Sequence, residues 1–223
     1  MSRSRQIKYR YRGKFDPGKL KPDNIDRLSL EMVPEKSKVL ELGAATGFMG
    51  EWLARVKKCR VSGVEMDSEA YKQAYRFYQG GMILGNLEDK ETWWEIKRWG
   101  KFDVVLASAI LEHLRSPELA LERIRKVLKP KGILVLTLPN IAHWRMRLNL
   151  LLGRWDYEDY GILDRTHLRF FTYFTAVKLV RRSGFRVKKV AIDPAGGLKY
   201  FNWLVKHWPN LYAYQIAIQA TKS

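Results

Sequence analysis

Apolar residues fall in short runs along the chain, and the spacing between runs follows two alternating periods. Lys38–Leu42 (KVLEL), Arg60–Glu65 (RVSGVE), residues 102–107 (FDVVLA) and residues 132–138 (GILVLTL) are brief and rich in β-branched residues. Such runs predict buried strands. Between them lie stretches of helical spacing. In residues 117–128, Ser116 stands at an N-cap position, Pro117 in the first turn, and Leu121, Ile124 and Leu128 recur on one face. Strand and helix in alternation predict an α/β fold, a parallel sheet with helices on both faces.

After Pro139 the rhythm changes. The pattern predicts a helix in IAHWRMRLNLLLG and an acidic, aromatic loop in RWDYEDYG. A strand through residues 165–172, a helix over residues 173–183, a strand near residues 185–192 and a last strand near residues 212–220 follow. Residues 141–171 then form an insert on the carboxyl side of the sheet, where open α/β sheets hold their ligands. The chain divides into residues 1–37, a basic segment with a lead-in helix, and a single domain over residues 38–223.

Composition narrows the setting. With 223 residues the chain can bury one sizeable core, and its single cysteine, Cys59, can form no internal disulfide. The basic N-terminus has no apolar stretch behind it, and no apolar run approaches the roughly 20 residues that cross a bilayer. These features point to the cytoplasm. The formal net charge is +18, and residues 1–21 hold eight Lys or Arg against the single Asp16. That field attracts nucleic acid, an anionic membrane surface or a phosphorylated substrate, and it also suits a solubilising tail. The aromatic and basic stretch KYFNWLVKHW adds peripheral contact with anionic lipid as an expectation.

Candidate chemistry begins where the first strand ends. ELGAATGFMG places Gly43, Gly47 and Gly50 before a helix, so that backbone N–H groups can approach a ligand. The second strand ends in GVEMD, with Glu65 22 residues beyond Gly43. A carboxylate there can accept hydrogen bonds from a ribose diol, so loop and acid together predict adenosine binding.

VLELGAATG, GVEMD, GNLED and FDVVLASAILEHL, in that order, resemble the class I S-adenosylmethionine-dependent methyltransferases over residues 39–138. The resemblance implies a Rossmann-like, seven-stranded, mostly parallel sheet with an antiparallel last strand, and S-adenosyl-L-methionine as cofactor. It implies that Glu41, Gly43, Ala45 and Gly47 wrap the methionine part, that Glu65 holds the ribose, and that Met66 lies against the adenine. Asn86 and Leu87 would meet the adenine edge, and Ala107 counts among the cofactor-binding positions. Ala45 departs from the family, whose middle loop glycine it replaces, so a slightly altered backbone is expected. NAD binding is disfavoured, because its fingerprint needs glycine where Ala45 and Phe48 stand. Trp93 and Trp94 read as packing residues.

For the acceptor, the four histidines are the natural bases. His207 sits in a Trp-rich stretch and is expected to pack or face solvent. His113 follows the fourth strand, at a position that in the family often supports the loop, and His143 opens the basic helix. In the expected strand of residues 165–172, His167 and Arg169 share one face. His167 would be the general base, with Asp164 or another acid orienting its ring and Arg169 pairing with an acceptor anion. The alternative is a strand with ordinary polar residues on its wet side. The insert is also similar to a segment in a bacterial, MetW-like branch that often accompanies glycan-assembly enzymes, which suggests a sugar or glycan precursor as acceptor. Trp144, Tyr157 and Tyr160 could stack on a sugar, and Arg145, Arg147, Arg154 and Arg165 could meet phosphate. Trp144, Leu148, Leu151 and Leu152 form an apolar helix face that would cap the pocket or rest on a membrane. An RNA methyltransferase is the second reading, favoured by the charge, and a non-catalytic, cofactor-binding partner protein is the third.

Overall fold

The computed structural model describes residues 15–194, 203 and 207–223. Residues 1–14 of the basic N-terminal segment and most of KYFNWLVKHW therefore lie outside the described residues. Seven strands form one sheet: β1 (Lys38–Leu42), β2 (Arg60–Glu65), β3 (Met82–Leu84), β4 (Phe102–Ser108), β5 (Leu128–Pro139), β6 (Phe185–Asp193) and β7 (Gln215–Lys222). Their order is β3-β2-β1-β4-β5-β7-β6, and β7 runs antiparallel to both β5 and β6 while the other pairings are parallel. The expected Rossmann-like architecture is thus present.

Successive residues of the central strands serve opposite faces. Leu40, Leu42, Val105, Leu134 and Leu136 enter one core cluster, and Val39, Val104, Leu106 and Val135 enter the other. Burial on both faces explains why these strands read as apolar runs. The covering helices are α1 (Ile25–Glu31), α2 (Phe48–Arg55), α3 (Ser68–Ala74), α4 (Lys90–Arg98) and α5 (Pro117–Val127). Beyond β5 come α6 (Trp144–Leu151) and α7 (Tyr173–Arg182), and a short helical turn over Pro209–Tyr212 precedes β7. Trp93 is buried and its indole N–H donates to the Leu87 carbonyl, whereas Trp94 is exposed beneath Arg98.

The fully buried Asn140 ties the acceptor-side region to the sheet. Its amide nitrogen donates to the Asn210 and Ala213 carbonyls, and its oxygen accepts from the Ala142 and Tyr173 N–H groups. One side chain therefore joins the approach to α6, the start of α7 and the approach to β7.

The expected strand over residues 165–172 is not formed. The segment is a series of turns, with isolated bridges only at Asp164 to Glu158 and Phe171 to Asn140. Its backbone groups are satisfied elsewhere: Leu168 N–H and Arg169 N–H both donate to the Glu112 carbonyl, and Thr166 N–H to the Asp164 carboxylate. Two-residue alternation therefore fails. His167 is buried, whereas Arg169 is exposed and its guanidinium donates to the Arg115 carbonyl, so the two form no shared strand face. Among the described residues, no helix is long and apolar enough to cross a membrane.

Candidate functional site

The strand order reverses between β1 and β4, and in open α/β sheets the crevice at such a switch point receives the ligand. The loop leaving β1 fills one wall. Gly43 and Gly47 hold φ of 74° and 81°, in the left-handed region. A Cβ at Gly43 would meet the Ile110 side chain, with Cγ1 2.5 Å away, and one at Gly47 would lie 2.9 Å from the Ala74 Cβ. Ala45 also has positive φ, 47°, where L-residues are strained by about 1 kcal/mol. At Ala45 the loop keeps the left-handed conformation a glycine would take, with a strained alanine in place of an altered backbone. Ala45→Gly is expected to stabilise the protein by no more than about 0.5 kcal/mol, because the freer unfolded chain offsets most of the relieved strain, as measured by denaturant unfolding.

Glu65 closes the loop. One carboxylate oxygen accepts from Ala45 N–H at 2.7 Å, and the other accepts from Met66 and Asp67 N–H, both at 2.8 Å. Three of about four acceptor positions are therefore filled by backbone. One ribose hydroxyl can be taken directly, and a second requires exchange with the Ala45 N–H. Met66 beside it is 70% exposed, an open apolar surface at the strand end. Asn86 uses its side-chain oxygen to accept from Glu88 N–H, so its amide N–H groups are the part suited to a base edge. Leu87 is buried, and its carbonyl is occupied by Trp93 and Arg123. Ala107 is wholly buried in the core below the crevice.

Glu41 is turned inward, where its carboxylate accepts the Tyr78 hydroxyl at 2.8 Å. Tyr78 lies where a Cβ at Gly50 or Gly63 would stand, so both glycines make room for its ring. Nothing in the sequence singles out this tyrosine. Burial lifts the Glu41 pKa to about 8, with the Glu65 and Asp26 charges adding to the rise and the Tyr78 hydrogen bond opposing it. A carboxyl whose folded pKa lies above its ordinary 4.5 binds its proton better when folded. Its contribution to stability is therefore lost as pH rises between 4.5 and 8. Glu41→Gln is expected to flatten that decline, read from thermal melts at pH values spanning this window.

The acceptor side is built from the turn after β4 and the irregular segment before α7. Glu112 is 1% exposed, and its Oε2 has no hydrogen-bond partner. Burial first, then the nearby Asp164 charge, raise its pKa to about 8. The His113 and His167 rings meet edge to face, 4.8 Å between centroids. His167 Nδ1 lies 3.0 Å from the Ile162 carbonyl, and His113 Nδ1 3.2 Å from that of Thr166. Asp164 is fully buried, accepts from Thr166 N–H and Oγ1–H, and joins His113 through that hydroxyl. The structure thus brings Asp164 and His167 into one cluster with Glu112 and His113, and places the Arg169 guanidinium on Arg115. Glu112 was legible only as the acid preceding His113.

The remaining candidates are dispersed. His143 is the N-cap of α6, accepting from Arg145 N–H, and burial followed by the Arg145 charge lowers its pKa to about 4. His207 is exposed, with Nδ1 against the Trp203 carbonyl. Trp144, Leu148, Leu151 and Leu152 are all exposed, so α6 does not cap a closed pocket. Arg165 pairs with Asp159, Arg147 donates to the Ala142 carbonyl, and Arg145 lies over Trp144.

Comparison with known proteins agrees with this geometry. A family model described as a methyltransferase domain matches residues 6–190. A tRNA 5-carboxymethoxyuridine methyltransferase of Escherichia coli K12 is 27% identical over 143 residues, 62% of this chain and 54% of that protein. The chain thus spans about half the length of this curated relative. A SAM-dependent methyltransferase structure from Archaeoglobus fulgidus is similar with a TM-score of 0.64 at 18% identity, covering 88% of this chain and 90% of that one. One from Mesorhizobium loti reaches 0.60 at 14%, covering 88% and 96%. At these identities the likeness shows the fold. The glycine cradle, the Glu65 carboxylate, the exposed Met66 and the Asn86 amide fit the methionine, ribose and adenine parts of the cofactor in turn. With the family model covering most of its length, the chain belongs to the methyltransferase-domain family and is a class I S-adenosylmethionine-dependent methyltransferase.

Proposed function

We propose that the enzyme methylates a hydroxyl of a small polar acceptor, a sugar or glycan precursor, presented to Glu112, His113 and His167. The observation that carries this reading is the position of that cluster. Glu112 and His113 follow Ile110, whose side chain packs where a Gly43 Cβ would stand, so the cluster adjoins the cofactor loop. When bound, the cofactor supplies a methyl group on a sulfonium. The protein aligns the acceptor, worth on the order of 7–11 kcal/mol for well-oriented reactants, and the hydroxyl proton is lost beside the cluster.

The rim supports a diol-bearing acceptor. Trp155, Tyr157 and Tyr160 are exposed and can lie on a sugar face. Asp156, Glu158 and Asp159 are exposed on the same loop, where carboxylates accept from sugar hydroxyls and repel a phosphodiester backbone. Arg145, Arg147 and Arg154 are the side chains that could meet a phosphate on the acceptor.

A second reading, tRNA as acceptor, is favoured by the +18 charge and by the E. coli relative. Incubation with the cofactor and separate pools of nucleotide-sugars, lipid-linked glycans and tRNA decides between them by mass spectrometry. The proposal expects a mass gain of one methylene unit in a sugar pool. Modification of tRNA alone would replace it with the second reading.

A further inference from the structure

We propose that Glu112, His113 and His167 form a binding site for a first-row divalent transition-metal cation. This deepens the proposed function and rests on it only for the role of the ion, not for its binding. One ligand atom from each of the three residues lies within 4.8 Å of the others.

Glu112 supplies the first argument. A carboxylate 1% exposed with an unpartnered oxygen is costly in a protein interior, and a cation offsets that cost directly. The histidines supply the second. Each ring has Nδ1 at a backbone carbonyl, His167 at Ile162 and His113 at Thr166, a contact that suits a proton on Nδ1 and makes Nε2 the nitrogen a metal would take. Histidine ligands characteristically donate their other ring N–H to a carbonyl or carboxylate in this way. The Thr166 hydroxyl, held by Asp164, adds a second polar contact at His113 Nδ1.

The donor set selects the ion. Two imidazoles and one carboxylate suit zinc, iron or cobalt better than magnesium or calcium, which prefer all-oxygen sites. Ligand atoms around one tetrahedral ion stand about 3.4 Å apart, so the three side chains must draw in by roughly an ångström or slightly more. His113 is only partly buried and leaves a way in. Three protein ligands leave a coordination position open, as in catalytic sites. An acceptor hydroxyl there would have its pKa lowered: the O–H bond breaks, the pair stays on oxygen and the proton leaves to solvent water.

The test is calorimetry with Zn²⁺ and the visible absorption of Co²⁺, on full-length, chelator-treated protein, beside a parallel titration with S-adenosylmethionine. Wild type is expected to bind one equivalent of ion and to show the cobalt d–d bands of a nitrogen- and oxygen-ligated site. Glu112→Gln and His167→Ala, each shown to be folded by retained cofactor binding, should weaken the ion about 100-fold or more. Wild type that binds cofactor but no ion overturns the metal site and leaves the transfer reading standing. Ion affinity unchanged in both variants also overturns it. Ion binding by wild type that takes no cofactor supports the site and overturns the transfer reading.

Discussion

Glu65→Ala is expected to lower cofactor affinity at least about 100-fold and to cost about 2–4 kcal/mol of stability. The size follows from the number of partners. The carboxylate accepts from Ala45, Met66 and Asp67 N–H together, and at 9% exposure those donors have little water to replace it. Glu65→Gln is not a mild substitute. If its oxygen serves Met66 and Asp67, its NH₂ faces the Ala45 N–H, donor against donor. Both variants should therefore bind poorly in calorimetry with S-adenosylmethionine, with Gln the better folded of the two. A Gln variant with wild-type affinity would show that the ribose is held elsewhere.

Gly43→Ala should be comparably severe for a steric reason. The residue sits at φ 74°, which costs an L-residue about 1–2 kcal/mol, and its new methyl would overlap Ile110. Ile110 directly precedes the turn that carries Glu112 and His113. The displaced side chain would thus disturb the acceptor cluster as well as the cofactor loop, and methyl transfer should fall by about two orders of magnitude or more. Pairing it with Ile110→Ala should restore part of the loss, because the overlap is relieved while the backbone strain remains. Equal activity in the single and double variants would exclude the overlap as the cause.

The sheet was legible in the sequence because its central strands are buried on both faces. KVLEL and RVSGVE gave the bounds of β1 and β2, and FDVVLA and GILVLTL fell within β4 and β5. The residues proposed for the cofactor were likewise local, at strand ends and in one loop. The acceptor side was not readable in this way. Alternation assumes a ladder partner, and residues 165–172 have only the single bridge of Phe171 to Asn140. The Leu168 and Arg169 N–H groups go to the Glu112 carbonyl and that of Thr166 to the Asp164 side chain, connections that no strand period records. His167 meets His113 and Glu112 across more than fifty residues of chain, and Tyr78 meets Glu41 across 37. These are long-range contacts between single residues. Asp164 and His167 are neighbours in sequence, yet the Asp164 carboxylate accepts from Thr166 while His167 Nδ1 lies at the Ile162 carbonyl.

The central claim is that the loop after β1 and the Glu65 carboxylate form a working S-adenosylmethionine site despite Ala45. Calorimetric titration of the wild-type protein with the cofactor tests it most directly. One equivalent should bind with a dissociation constant in the micromolar range, and Glu65→Ala should abolish the heat at the same concentrations. No binding by the folded wild-type protein at millimolar cofactor would contradict the claim.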